Sequence, residues 1–106
     1  MNIIKNKDYL NEDEQLTYYE SLFNALADKN RLKILNQISK SSTKSLCVCD
    51  LEMLLNLKQS KLSYHLKKLV DVGILIPEKH GTWNYYTINE EQIQVVLNED
   101  TCCKIL

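Results

Sequence analysis

The sequence predicts an α+β fold that is mostly α: four helices, a β-hairpin and a C-terminal helix in one domain. Three observations carry that expectation. Apolar residues recur at helical spacing as far as Gly73. The single proline, Pro77, and both glycines, Gly73 and Gly81, fall together in one short stretch. Beyond Gly73 the apolar period changes to two, over "ILIPEK" and "WNYYTI".

Each element follows in order. Asn11 is placed to cap a first helix, with Glu14 at the capping-box position. Leu16, Tyr19, Phe23 and Leu26 then share one helical face. Asp28 caps a second helix, "KNRLKILNQIS", with Leu32, Leu35 and Ile38 three apart and Ile34 alongside. "SKSSTKS", residues 39–45, reads as a loop. "CDLEMLLN" is a short third helix, apolar at Leu51, Leu54 and Leu55. In the fourth, "QSKLSYHLKKLVDVG", Leu62, Leu66, Leu69 and Val70 point inward and Gly73 closes the helix. Its outer face carries Gln59, Ser60, Lys61, Ser63, Tyr64, Lys67 and Lys68. Two short helices with a tight turn, the second basic outside, form a helix-turn-helix pattern. The two strands, rich in Ile, Tyr and Trp and separated by "HGT", make a hairpin. Ile93, Val96 and Leu97 mark a last helix, from Glu90 to about Glu99. A helix-turn-helix followed by a hairpin is a winged helix-turn-helix.

Composition bounds the function classes. Hydrophobic residues make up 44 % and charged residues 25 %, which suits a globular domain rather than a disordered chain. A core built from 106 residues is small, so dimerisation would help it. No apolar run approaches the ~20 residues of a membrane span. "MNIIKNKDYL" lacks a signal-peptide apolar block. A cytoplasmic location is expected, where four cysteines serve metal binding or redox sensing rather than structural disulfides. The net charge of −1 hides an uneven distribution. Residues 1–20 and 90–106 each sum to −3, whereas Lys58, Lys61, Lys67, Lys68 and Lys79 against Asp71 and Glu78 give residues 56–80 a sum of +3. On charge alone this block is either a solvated lysine face or a nucleic-acid footprint.

"SLCVCDLEMLL" poses a geometric problem. In a regular helix, Cys47 and Cys49 would point about 200° apart. Either the pair does not chelate, or the helix does not begin cleanly at Cys47. Shared thiolate–metal bonds near ~2.3 Å need the two sulfurs within roughly 4 Å. Ion binding is therefore expected to hold the first turn of "CDLEMLLN" out of shape and to reposition the helix that packs on it.

Four motifs together resemble the ArsR/SmtB family of metal- and arsenic-responsive winged-helix repressors. "LFNALADKNRLKILNQI" is similar to the family's second-helix signature, and "LCVCDL" resembles its metal box. "KLSYHLKKLVDVGIL" resembles its recognition helix and exit, and "KHGTWNYYTI" its wing. The match covers roughly residues 20–90. It implies a homodimeric repressor, not an enzyme, that leaves its operator when a soft metal or metalloid binds. The implied layout of 1–106 is one DNA-binding domain, with dimerisation helices in 1–27 and 89–106, the helix-turn-helix in 47–72 and the wing in 74–88.

Within that resemblance, Gln59, Ser60, Lys61, Ser63 and Tyr64 occupy the turns that meet base edges. Gln59 suits adenine and Lys61 guanine, while Lys67 and Lys68 suit phosphates. Tyr64 stands where the family commonly has a basic residue. Lys79 would lie near phosphate or the minor groove, with His80 exposed at the wing tip. His65 is expected to be packed or backbone-bonded, and Trp83, Tyr85 and Tyr86 to pack within wing and core. A dimer on duplex DNA would read an imperfect palindrome with half-sites about one helical turn, or a multiple, apart.

No cofactor is required, and the implied inducer is arsenite or antimonite held by Cys47 and Cys49. Glu52 stands where some arsenic sensors of the family carry a third cysteine. Cys102 or Cys103 of "TCCKIL" is expected to supply that sulfur, within the subunit or across the dimer; the competing reading gives them a separate site or no role. Residues 89–106 contain no histidine and residues 1–46 no cysteine, which disfavours the family's zinc and cadmium–lead sites. Two alternatives keep the DNA binding: sensing thiol oxidation, or another soft metal (Cd/Pb), through the same cysteines. An enzyme is disfavoured by the lack of CxxC, a phosphate loop and a βαβ layout. Metal storage is disfavoured by the small number of cysteines.

Overall fold

A computed structural model describes residues 11–98. Five helices and three strands run α1 (Glu12–Leu26), α2 (Lys29–Lys40), β1 (Ser45–Cys47), α3 (Val48–Leu55), α4 (Gln59–Asp71), β2 (Leu75–His80), β3 (Trp83–Ile88) and α5 (Glu90–Val96). The winged helix-turn-helix is present, with a third strand that the sequence reading lacked.

The helices begin where polar side chains can satisfy the first free N–H groups. Asn11 accepts from the Glu14 N–H, Asp28 from those of Asn30 and Arg31, and Asn89 from that of Gln92. Helix α4 ends in a Schellman motif. The Ile74 N–H reaches the Leu69 carbonyl and the Gly73 N–H the Val70 carbonyl, both at 2.9 Å, with Gly73 at φ +77°. A side chain at Gly73 would strain that left-handed turn.

The sheet is antiparallel in the order β1-β3-β2. Gly81, at φ +66°, turns β2 into β3 so that His80 pairs with Trp83. Pro77 is tolerated because β2 is an edge strand. Strand β1 lies on the other edge of β3, pairing Ser45 with Thr87, Leu46 with Tyr86 and Cys47 with Tyr85. The core is made by Tyr18, Tyr19, Leu22, Ile34, Ile38, Leu51, Leu62, Leu66, Leu69, Ile74 and Leu75, with neighbours. No helix among the described residues is long and apolar enough to cross a membrane.

Several expectations are corrected. On α1 the buried face is Tyr18, Tyr19, Leu22 and Ala25, while Leu16 and Phe23 each remain 43 % exposed. The helix is apolar on more than one face, and Tyr18 turns inward, its hydroxyl 3.3 Å from Gln92 Oε1. Gln92 Nε2 donates to the Val72 carbonyl at 2.8 Å, so α1, α5 and the end of α4 are tied together. Leu32 is exposed too, because Ile34, Leu35 and Ile38 face the core. The expected loop 39–45 is shorter, since α2 continues to Lys40 and β1 begins at Ser45. Trp83 is 56 % exposed rather than packed, while Tyr85 and Tyr86 are half-buried. Helix α5 ends at Val96, and residues 99–106 lie outside the described part, with Cys102 and Cys103 among them.

Candidate nucleic-acid interface and thiol centre

Helix α4 is held by one face and offers the other. Leu62, Leu66 and Leu69 are buried, and each such side chain contributes roughly 1.5–3 kcal/mol of apolar burial. Gln59, Ser60, Lys61, Ser63, Tyr64, Lys67 and Lys68 are all exposed. Lys79 and His80 are exposed near the tip of the wing. Every residue singled out as a DNA contact is thus accessible, on one helix face and one hairpin. Some have intramolecular partners. Lys67 Nζ donates to Asp71 at 2.9 Å, Lys68 lies 5.5 Å from the centre of the Tyr64 ring, and His80 is 3.6 Å from Glu78 and edge-on to Tyr85. Surface pairs of this kind are weak enough to exchange for phosphate.

His65 is packed, as expected, but its bond is to a side chain. It is 4 % exposed, with Nδ1 3.2 Å from Arg31 Nη1 and 3.9 Å from Asp28. Arg31 also donates to the carbonyls of Ala25 (2.7 Å) and Asn24 (3.2 Å), at the C-terminus of α1. The cluster locks α1, the start of α2 and α4 together. Burial pushes the His65 pKa below 6.5; the Asp28 carboxylate opposes this, and Arg31 and Lys61 reinforce it. For Asp28, desolvation acts upward, yet the Arg31 and Asn30 N–H bonds and the nearby positive charges hold its pKa below the ordinary value. Since folded His65 binds its proton less readily than the unfolded chain does, its contribution is present above the ordinary histidine value and is lost as pH falls from there through the lower folded value. The urea midpoint is therefore expected to drop between pH 7.5 and 5.5 in the wild type, and to drop less in His65→Gln. Equal drops would exclude His65 as the source.

Sequence counting overlooked Lys29, Arg31, Lys33, Lys40 and Lys44, which make residues 29–46 basic with no acidic residue. The absence of acids was the available signal. Arg31 is spent on structure, whereas Lys29 is exposed and follows Asp28 beside α4.

The two sulfurs meet as a disulfide beside a regular α3, and of the two options the sequence left, the second holds: the helix does not begin at Cys47. Cys47 is not in the helix: it ends β1 and caps α3 with φ −84° and ψ 165°. Its sulfur accepts the Asp50 N–H at 3.3 Å, and its own N–H donates to Asp50 Oδ2 at 3.2 Å. This is a capping box with a cysteine in the usual serine position. Cys49, in the first turn, is joined to Cys47 by a disulfide, with Cα atoms 5.3 Å apart. Cys47 is 3 % exposed, and Cys49 is exposed. Among the described residues, Cys47, Cys49 and Asp50 form the cluster that could hold a metal ion, their donor atoms lying within 4.8 Å of one another. When reduced, two sulfurs with a carboxylate beside them fit a soft, thiophilic ion. Asp50 was missed by the sequence reading, although C-x-x-D has the spacing of a capping box.

Comparison with known proteins agrees with the winged helix-turn-helix fold. The family model for the bacterial regulatory proteins of the arsR family matches residues 28–76. The chain is 44 % identical over 92 residues to the arsenical resistance operon repressor of Bacillus subtilis (strain 168), covering 87 % of this chain and 86 % of that protein. It is 41 % identical over 68 residues to the arsenical resistance operon repressor of Escherichia coli (strain K12), covering 64 % of this chain and 56 % of that protein. The fold superimposes on a homodimeric winged helix-turn-helix DNA-binding domain from Mycobacterium bovis with TM-score 0.69 at 20 % identity, covering 97 % of this chain and 89 % of that one. The chain belongs to the arsR family of bacterial regulatory proteins, DNA-binding winged helix-turn-helix transcriptional regulators rather than enzymes.

Proposed function

We propose that this protein is a homodimeric repressor that leaves its operator when trivalent arsenic or antimony is held by Cys47 and Cys49. The observation that carries the reading is the meeting of two sulfurs at the start of α3, the helix packed against the exposed, basic α4. Gln59, Ser60, Lys61, Ser63 and Tyr64 would meet base edges, and Lys67, Lys68 and Lys79 phosphates, with His80 at the wing tip. Exposed Leu16 and Phe23 on α1, and Leu97 just past α5, suit a dimer contact, and a dimer would read an imperfect palindrome. Cys102 or Cys103 would complete the inducer site with a third sulfur. A reducing compartment such as the cytoplasm would keep the thiols available.

The test is arsenite titration of the complex with an operator duplex selected from a randomised pool, under reducing conditions. Release by arsenite supports the reading, and full occupancy at saturating arsenite overturns it. A second reading, thiol oxidation, is favoured by the Cys47–Cys49 disulfide. Release by oxidant together with no response to arsenite would select it, and release by cadmium or lead alone would select another soft metal.

The lysine roles have their own readout. Lys68→Ala is expected to lower the slope of log affinity against log salt by about 1. Lys67→Ala is expected to lower it by less, because Lys67 must first leave Asp71. Unchanged slopes would place both lysines off the phosphates.

A further inference from the structure

We propose that Asp50 is the positioning residue of the dithiol, holding Cys47 in the one conformation from which both sulfurs can reach a single ion. This rests on the reading above, that the pair is the inducer's site, and adds how a C-x-C sequence becomes a competent chelator. Were Cys47 the first helical residue, its side chain would diverge from that of Cys49 by about 200°. It is instead extended, and two hydrogen bonds to Asp50 hold it there.

The two bonds act on different parts of the residue. The carboxylate fixes the Cys47 backbone through its N–H, and the Asp50 N–H fixes the sulfur itself. Pairing of Cys47 with Tyr85 restrains the backbone from the other side but does not choose the rotamer. Burial is divided accordingly: Cys47 is enclosed and held, whereas Cys49 is exposed, and once the disulfide is reduced its sulfur can adjust to the ion. Binding through both sulfurs therefore depends on Asp50, and reaction at Cys49 alone does not.

Phenylarsine oxide and N-ethylmaleimide separate these two cases. The arsenical forms two As–S bonds, its oxygen leaving as water with the two thiol protons. The maleimide adds one thiol across its double bond, the proton going to the neighbouring carbon. Affinity for the arsenical is read on reduced full-length protein without DNA, as protection of Cys47 and Cys49 from alkylation resolved by peptide mass spectrometry.

Asp50→Ala is expected to weaken arsenical binding on the order of tenfold, the scale of one lost cap. Asp50→Asn keeps an acceptor for the Cys47 N–H and is expected to retain most of the affinity. Alkylation of Cys49 should stay within about threefold in both variants. Wild-type affinity in Asp50→Ala overturns the proposal. So does an equal loss in both variants, since the carboxylate would then be a ligand rather than a cap. A wild type that binds the arsenical yet keeps its DNA would defeat the functional reading and leave this one standing.

Discussion

Cys47→Ser and Cys49→Ser are each expected to raise the arsenite needed to clear operator DNA by about 10²-fold or more, the scale on which a second tethered contact strengthens binding. Each variant leaves one sulfur of the pair, so the only chelate left is the one that sulfur would make with Cys102 or Cys103. DNA affinity without inducer should change little. Serine is a strong N-cap, so Ser in place of Cys47 can still accept the Asp50 N–H. Cys49 is exposed and contributes little packing. Fluorescence anisotropy of a labelled operator duplex, with and without arsenite, measures both quantities. Normal release by both variants would remove the dithiol from the mechanism. Cys102→Ser and Cys103→Ser, measured the same way, assign the third sulfur.

Leu62→Ala is expected to cost about 2–5 kcal/mol of stability, read from the urea midpoint. The side chain has no exposed surface, and it anchors the first turns of the reading helix in the core. Total stability for a domain of this size is about 5–15 kcal/mol, so the loss is a large share of it. Leu54→Ala is the contrast. Leu54 is 49 % exposed on α3, and its removal should shift the midpoint by much less. Equal shifts would mean that Leu54 on α3 anchors the fold as strongly as Leu62 on α4.

Helix α3 is well formed with the Cys47–Cys49 disulfide closed, so joining the two sulfurs does not by itself melt that helix. On the proposed function, the signal from the pair would travel through other connections of Cys47. One is β1, where Cys47 pairs with Tyr85, whose ring packs edge-on against His80 at 4.9 Å, near the wing tip. The other would be the third sulfur proposed for the inducer site.

Much of the candidate site was legible because it depends on near neighbours in the chain. The outward set from Gln59 to Lys68 follows from the spacing of Leu62, Leu66 and Leu69, and the structure exposes every member. The C-x-C problem was legible as a problem, but its solution was not. It required Cys47 to be the end of a strand, and a three-residue strand has too little periodicity to be read. The role of Arg31 was not legible, because its partners, Asn24, Ala25 and His65, meet only in the folded chain.

By itself the sequence determined the order of the five helices and the hairpin, the caps at Asn11 and Asp28, the stop at Gly73, and the basic face of α4. These are set by side-chain bonds to nearby backbone, by left-handed turns and by helical period, all local physics. Only the tertiary structure decided which apolar face of α1 went inward, that β1 joins the wing, and that two thiols one residue apart converge. Those outcomes rest on packing and strand pairing between residues distant in the chain, where local propensity is silent.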